Sequence, residues 1–491
     1  MKLINAHSLL ILGLGRTGKD LALWAQTTKE AKFDHICIYA GAQTESTQAS
    51  RALEAAGIEI VYGTEQIQGS FDLCVASPGI SEHSAFFAAA RAASQEIIGE
   101  PELAYRCSPQ NWCTITGTNG KTTTTSLIHT IMQAADKPSQ AVGNIGNACI
   151  RAVEHRSSDS WMVAELSSYQ LATTSELHPH VAVLLNITPD HVSWHGSIEA
   201  YAAAKAKMFD QMGVHDLAII DVDDAGIQRY TELLARNDLR ICEVSLTDTG
   251  AENAAFVRNE ALVVRRSGHE IKLVASSELN IVGTHNIINA LAASAASLEM
   301  GASAEAVCTG LRTFMPLEHR IQLVGEIAGV RYINDSKATN TDATLKALTA
   351  FPNTALTLLI GGHDKHTPLE EFAGEIVRKT AHIICFGEAG PRLYEACLEA
   401  LHQACDAEQQ SNHRGVEGTN YAQLHQAKHL KDALWCAAKL TQPDGVVLLS
   451  PACSSFDEFH SFEERGAAFC SYVAELSQTA DVSDMKVRYG A

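Results

Sequence analysis

The chain has 491 residues, 46% of them apolar, which at about 150 residues per domain suggests three domains with sizeable cores. Its 57 acidic and 37 basic side chains give a formal charge of −20. That balance disfavours a general nucleic-acid or anionic-membrane surface, although a local pocket for a phosphorylated substrate stays open.

The first unit is expected to run over residues 1–100. Its opening residues lead into a strand and do not read as a signal peptide. That strand, Ser8 to Leu12, meets Gly13-Leu14-Gly15-Arg16-Thr17-Gly18, a glycine-rich turn opening a helix at Lys19. The spacing is that of a dinucleotide fingerprint, which is a weak signal alone. A nicotinamide enzyme also needs an acid at the end of the second strand to hold the ribose. Here His35 to Tyr39 runs out into Ala40-Gly41. That absence counts against a dehydrogenase, leaving a different nucleotide or a purely structural turn. A third strand, Phe71 to Ala76, ends at Ser77-Pro78-Gly79. Ligands of doubly wound sheets bind at such strand ends.

The second unit, residues 101–315, carries the strongest signal. The apolar run Trp112 to Thr116 feeds Gly117-Thr118-Asn119-Gly120, and a helical pattern opens at Lys121-Thr122-Thr123. Two glycines let backbone N–H groups curl around an anion, and the helix N-terminus adds positive potential. Lys121 reaches β- and γ-phosphates, and the Thr122 hydroxyl suits Mg²⁺. The general P-loop has a further glycine where Ile115 stands. An accidental glycine turn is the bland alternative, and the Lys-Thr pair weighs against it. Further strands are expected at Trp161 to Leu166, Val181 to Ile187 and Leu217 to Asp221, with a small antiparallel insert between Phe256 and Ile281. The unit closes on an alanine-rich helix after His285-Asn286.

Within it, Glu165 ends a strand, where a carboxylate can serve Mg²⁺; a helix-start acid is the alternative. Asp190-His191 follows another strand end, so His191 is a metal or phosphate ligand, or an ordinary loop histidine. Lys205 lies on a helix from Ser197 to Met212 beside Tyr201, Met208 and Phe209, whereas Lys207 lies on the polar side. A lysine in apolar surroundings has a depressed pKa, and its neutral amine can take up CO₂ as a carbamate. From the helix alone a snorkelling lysine is the commoner case.

The third unit, residues 316–491, is expected to have strands at Arg331 to Asn334, Ala355 to Ile360, His382 to Phe386 and Val446 to Ser450, separated by helices. Cys405 to Gly418 is polar and unpatterned, as a surface loop would be. No apolar run approaches the ~20 residues of a membrane span. The 13 cysteines include no C-x-x-C pair, which speaks against zinc and disulfides and for a reduced cytoplasm.

The order of motifs resembles the Mur ligase family over nearly the whole chain. It comprises Thr116 to Thr122, Gly143-Asn144-Ile145-Gly146, Glu165 to Gln170, Asn186 to His191, Tyr201 to Lys205, Gly283 to Asn286 with Asn289, His319-Arg320, Asn334 to Asn340 and Gly361 to Lys365. The tail Leu449 to Asp457, with Phe462 to Gly466, is similar to the D-glutamate-adding members. The resemblance implies three consecutive α/β domains: a Rossmann-like UDP-binding domain, a central P-loop ATPase domain and a C-terminal Rossmann-like domain. It implies an ATP- and Mg²⁺-dependent ligase, with two ions, acting in the cytoplasm as a monomer. The substrates would be UDP-N-acetylmuramoyl-L-alanine and D-glutamate, with neither nucleic acid nor membrane insertion involved.

Residue by residue, the resemblance implies that Gly117 to Thr123 hold ATP with Asn286, Asn289, Arg320 and Asp335. Thr122, Glu165, His191 and a carbamylated Lys205 would hold metal, and Lys121, Glu165, His191 and Lys205 would be catalytic. Gly15, Arg16, Thr17, Ser77, Pro78, Gly79 and Asn144 would meet the UDP-substrate. Lys337, Thr339, Lys365, Ser455, Phe456 and Phe462 would shape the D-glutamate site. At the uracil, where the family often has an acid and a hydroxyl, stand Tyr39 and Ala40. A folate-type ligase is the near alternative but should lack the uridine-binding unit. A P-loop switch or motor would turn over ATP without an acceptor.

Overall fold

A computed structural model describes residues 6–29, 32–154, 156–229, 239–352, 354–364, 367–410 and 421–478. Three sheets follow one another along the chain. The first contains β1 (Ser8–Leu12), β2 (His35–Tyr39), β3 (Glu59–Val61), β4 (Phe71–Ala76) and β5 (Ser94–Gly99) in the order β3-β2-β1-β4-β5, all parallel. Leu9 to Leu12 are fully buried, as expected of a parallel strand covered on both faces. The strand order reverses between β1 and β4, so the turns after these strands flank a crevice.

The second sheet contains β6 (Trp112–Thr116), β7 (Ser139–Gly143), β8 (Trp161–Glu165), β9 (Val181–Leu184), β10 (Leu217–Asp221), β11 (Arg240–Val244), β12 (Ala254–Arg258), β13 (Ala261–Arg266) and β14 (His269–Ala275). Its order is β14-β13-β12-β11-β10-β9-β6-β8-β7. The last three strands form the antiparallel insert, tied by Arg258 and Arg265 to Asp248 and Glu270. β6 sits between β9 and β8, which places its C-terminal end at the reversal of strand order. The third sheet contains β15 (Gln322–Ile327), β16 (Val330–Asn334), β17 (Leu356–Gly361), β18 (His382–Phe386), β19 (Gln423–Gln426) and β20 (Val446–Ala452). Its order is β15-β16-β20-β17-β18-β19, parallel except for β15.

Contacts divide the chain into two compact units, Met1–Leu279 with Asn286–Phe314, and Asn280–His285 with Met315–Ala491. The first two sheets share a unit because one apolar cluster is continuous between them. It runs from Leu9, Ile11 and Trp24 to Trp112, Met162 and Leu184.

Two local expectations are corrected. The helix after β1 opens at Arg16, not Lys19, so Arg16 and Thr17 lie in its first turn. The segment from Cys405 does not begin as a loop: helix Gly390–Gln410 takes in its first residues, and 411–420 lie outside the described residues. A polar helix tail without an apolar stripe gives no periodic signal to read.

Candidate active site

The site in the larger unit is built on the end of β6. Gly117 (φ 154°) and Gly120 (φ 84°) bracket the turn, and helix Lys121–Ala134 follows. Both glycines are required by space as well as by backbone angle. A Cβ on Gly120 would lie 2.4 Å from Asn289 Oδ1, and one on Gly117 3.0 Å from Leu185 Cβ. The neighbouring strand end braces the turn. The Asn119 N–H donates to Asn186 Oδ1 (2.7 Å), Asn186 Nδ2 donates to Asn119 O (3.1 Å), and the Thr118 N–H donates to Asn186 O (3.0 Å). The Thr188 N–H donates to Thr118 Oγ1, which lies 2.9 Å from the Tyr201 hydroxyl. Lys121 folds over the turn, its Nζ donating to Gly117 O and Thr118 O at 2.8 Å each. Thr122 and Thr123 occupy the first helical turn. Asn286 and Asn289, on helix Thr284–Glu299, are buried and joined by a 3.0 Å hydrogen bond, and Asn289 lies against Gly120.

Two charged groups are buried beside this turn. Glu165, at the end of β8, is 1% exposed. Its Oε1 accepts from Asn144 Nδ2 (2.8 Å), while Oε2 is buried with no hydrogen-bond partner among the described residues. The Asn144 N–H also donates to the main-chain Glu165 O, so Asn144 holds both the backbone and the carboxylate of Glu165. Lys205 is 1% exposed, on helix Ile198–Ala206. Its Nζ donates to Gly117 O (2.8 Å) and stands 4.6 Å from the centre of the Tyr201 ring. Burial, reinforced by the Lys121 charge, holds its pKa well below the ordinary lysine value. The snorkelling alternative is therefore overturned: the chain packed above the helix encloses the ammonium. Lys207, expected on the polar side, is half-buried and donates to Ala172 O.

A buried carboxylate oxygen without a hydrogen-bond partner among the described residues is a ligand of the kind a hard divalent ion takes. Glu165 thus fits a hard divalent ion such as Mg²⁺. His191 is exposed, has φ 54°, and packs its ring 4.8 Å from that of Tyr169. His195 went unnoticed in the sequence. It is buried, its Nε2 lies 2.9 Å from Ser168 Oγ, and it stacks on Tyr169. Burial, then the charges of Lys205 and His191, lowers its pKa to about 4. Its spacing of one helical turn from His191 was the available clue.

In the first sheet the turn after β1 and the turn after β4 meet. Ser77 Oγ donates to Gly13 O, and a Cβ on Gly13 (φ 94°) would touch Ser77. The turns that carry Gly15, Arg16 and Thr17, and Ser77, Pro78 and Gly79, thus open at one edge of the sheet. Arg16 also donates to Gly146 O, beside Asn144.

In the smaller unit, the ends of β16, β17 and β20 converge. Asp335 is buried; its Oδ2 accepts from Ser450 Oγ (2.8 Å) and its Oδ1 from the Ile321 N–H, next to Arg320. Desolvation pushes its pKa up to about 7, against the pull of Ser450 and the Arg320 charge. Lys337 Nζ stands 3.7 Å from the centre of the Phe462 ring, a cation–π contact. Thr339 follows two residues on, Ser455 is buried, and Phe456 is 69% exposed. Lys365 lies outside the described residues. Arg465, another residue sequence reading missed, is wholly buried and clamps the neighbourhood. It donates to Ser336 Oγ (3.0 Å), Ser336 O (2.8 Å), Cys453 O (3.0 Å) and Ser454 O (3.1 Å).

A phosphate-binding turn at a strand-order reversal, with a buried carboxylate and lysine beside it, defines a nucleotide-using α/β enzyme. Residues 115–297 match the Mur ligase middle domain, and residues 319–453 match the Mur ligase, glutamate ligase domain. The chain is 34% identical over 483 residues to the UDP-N-acetylmuramoylalanine–D-glutamate ligase of Alkaliphilus metalliredigens, covering 98% of this chain and 100% of that protein. It is 35% identical over 488 residues to the enzyme of the same name from Pelotomaculum thermopropionicum, covering 97% and 100%. The fold is similar to that of UDP-N-acetylmuramate–alanine ligase from Thermotoga maritima, with a TM-score of 0.56 at 16% identity, over 96% of this chain and 100% of that one. It is also similar to MurF from Acinetobacter baumannii, with a TM-score of 0.54 at 17% identity, over 84% and 92%. This chain belongs to the Mur ligase family.

Proposed function

We infer that the chain is an ATP-dependent ligase that joins D-glutamate to UDP-N-acetylmuramoyl-L-alanine, releasing ADP and phosphate, in peptidoglycan precursor synthesis. The observation that carries the reading is the pairing of buried Lys205 and the open oxygen of Glu165 at the phosphate turn, in a chain whose relatives of that activity align from end to end. That alignment includes the first sheet, which a folate-type ligase should lack.

An amide cannot form directly from a carboxylate at useful rates, so the substrate carboxylate is first phosphorylated. Its oxygen attacks the γ-phosphorus of ATP, ADP leaves, and the acyl phosphate carries the activated carbonyl. The D-glutamate amine then adds to that carbonyl, and phosphate leaves from the tetrahedral intermediate. The turn Gly117 to Gly120, through the backbone N–H groups that lead from it into helix Lys121–Ala134, and the Lys121 ammonium are proposed to hold the phosphates in line. For this Lys121 exchanges its two loop carbonyls for phosphate oxygens. Thr122 and Thr123 line the start of that helix, and Asn286 and Asn289 serve the adenine side, with Arg320 and Asp335 proposed at the same nucleotide. Thr122, Glu165, His191 and a carbamylated Lys205 are proposed to hold two Mg²⁺ ions, which when bound would offset the charge on the phosphoryl oxygens. Asn144 holds Glu165 in place and lies beside Gly146 and Arg16, consistent with a role at the UDP-substrate. Gly15, Thr17 and Ser77 to Gly79 are proposed to bind its uridine end. Lys337, Thr339, Lys365, Ser455, Phe456 and Phe462 are proposed to receive D-glutamate.

We place the reaction in the cytoplasm and the enzyme as a monomer. The free state of all twelve described cysteines supports the first. Among the described residues no helix is long and apolar enough to cross a membrane.

The test is phosphate release from ATP with UDP-N-acetylmuramoyl-L-alanine, adding D-glutamate, L-glutamate or meso-diaminopimelate separately. Release dependent on D-glutamate, with a ligated product by mass, is expected. Release with another acceptor moves the specificity, and release with none overturns the ligase reading in favour of a nucleotide hydrolase.

A further inference from the structure

The first sheet carries a cluster of donor side chains far along the strands from the ligand-binding turns. His35 opens β2, Cys37 follows on the same face, and Glu59 opens β3 directly opposite Cys37 in the parallel register. One ligand atom from each of the three lies within 4.8 Å of the others. His35 Nε2 and Glu59 Oε2 are 2.8 Å apart. His35 is held by stacking on Phe71, with ring centres 5.6 Å apart and planes 18° from parallel. Among the described residues this is where three such donors converge.

We propose that His35, Cys37 and Glu59 form a binding site for a borderline-soft divalent ion, Zn²⁺ or Co²⁺, that clasps the edge strand β3 to β2. One nitrogen, one sulfur and one carboxylate oxygen are a donor set of that class, with water filling the fourth position. The hard Mg²⁺ of the phosphate turn is poorly served by a thiol. Strand β3 has only three residues and pairs on one side, so a cross-strand bond adds an anchor that its ladder lacks. The cation reaches the site from solvent, because the His35 and Glu59 side chains are about half exposed. Cys37 is buried beneath them, and burial with the nearby Glu59 charge pushes its thiol up to about 12. An arriving cation reverses that balance: the Cys37 S–H bond breaks, the proton leaves to solvent, and the thiolate sulfur bonds the metal.

The test uses the full chain stripped by a chelator and titrated with Co²⁺, followed by near-ultraviolet absorbance. A thiolate-to-cobalt charge-transfer band saturating at a single ion per chain is expected. Cys37→Ser abolishes it, and His35→Ala and Glu59→Gln, changed at exposed side chains, weaken apparent affinity by at least about tenfold. Zn²⁺ raises the thermal midpoint of the parent chain and not of the His35→Ala variant, whose unchanged ligation rate shows it folded. No band in the parent chain, or an equal band in Cys37→Ser, overturns the proposal.

Discussion

Arg465 offers the sharpest test of how the smaller unit is held together. Its guanidinium is wholly buried and makes four hydrogen bonds, three of them to main-chain carbonyls on two separate segments. These segments, Ser336 and Cys453–Ser454, flank Lys337 and Ser455. In Arg465→Ala the carbonyl of Ser454 keeps the His363 N–H (2.8 Å), whereas those of Ser336 and Cys453 lose the guanidinium. Two buried carbonyls stripped of a charged donor cost about 1–3 kcal/mol each, so the loss is roughly 2–6 kcal/mol before any cavity term. That is a large share of the ~5–15 kcal/mol that holds a typical domain. At about 2–4 °C per kcal/mol for a unit of this size, the thermal midpoint drops by on the order of 10 °C. Arg465→Lys keeps the charge but cannot span both segments, because an ammonium lacks the planar fork. It should therefore fold, and the Michaelis constant for D-glutamate should rise more than that for ATP. Calorimetry and initial-rate kinetics on both variants check this. An Arg465→Ala protein with an unchanged midpoint and an unchanged constant for D-glutamate would refute the clamp.

Replacing Glu165 by Gln removes a buried carboxylate oxygen that has no hydrogen-bond partner among the described residues. The thermal midpoint is expected to hold or rise, while turnover falls about 10²–10³-fold, the scale of losing one electrostatic stabiliser; a magnesium titration of both proteins is the check. Lys205→Ala, which vacates that buried side-chain space, should lose turnover by a similar factor. Partial recovery with small carboxylates in the assay, and none in the parent chain, is the outcome that supports a carbamate at this position. The buried carboxyls of Glu100 and Asp335 have pKa values pushed up to about 7 by desolvation. Each binds its proton more tightly folded than unfolded, so this part of the stability is complete below the unfolded value near 4 and is lost as pH rises to about 7. Urea midpoints should therefore fall between pH 5 and 7.5 by a smaller amount in Glu100→Gln than in the parent chain, and equal slopes in the two proteins would contradict it.

What could be read from the sequence was whatever depends on neighbours in the chain. The phosphate turn is contiguous, and its glycines, lysine and threonine act through backbone geometry that they largely impose themselves. The strand-turn-helix order of the three sheets follows from apolar runs that are short and unbroken, and the antiparallel insert from its alternation and its Ser267-Gly268 turn. Tertiary structure decided what depends on the chain returning from a distance. Whether Lys205 snorkels or is sealed in depends on what packs over its helix, and the carbonyl of Gly117, 88 residues away, receives its Nζ. Asn144 reads as a substrate contact in a glycine-rich motif, yet its amide is bound to Glu165 because β7 pairs with β8. Arg465 looks like one charge among several in Phe462 to Gly466, and only the junction of β16 and β20 makes it an internal clamp. Local sequence states which groups are present and what their backbone can do. Burial, which sets their charge and their partners, belongs to the whole fold.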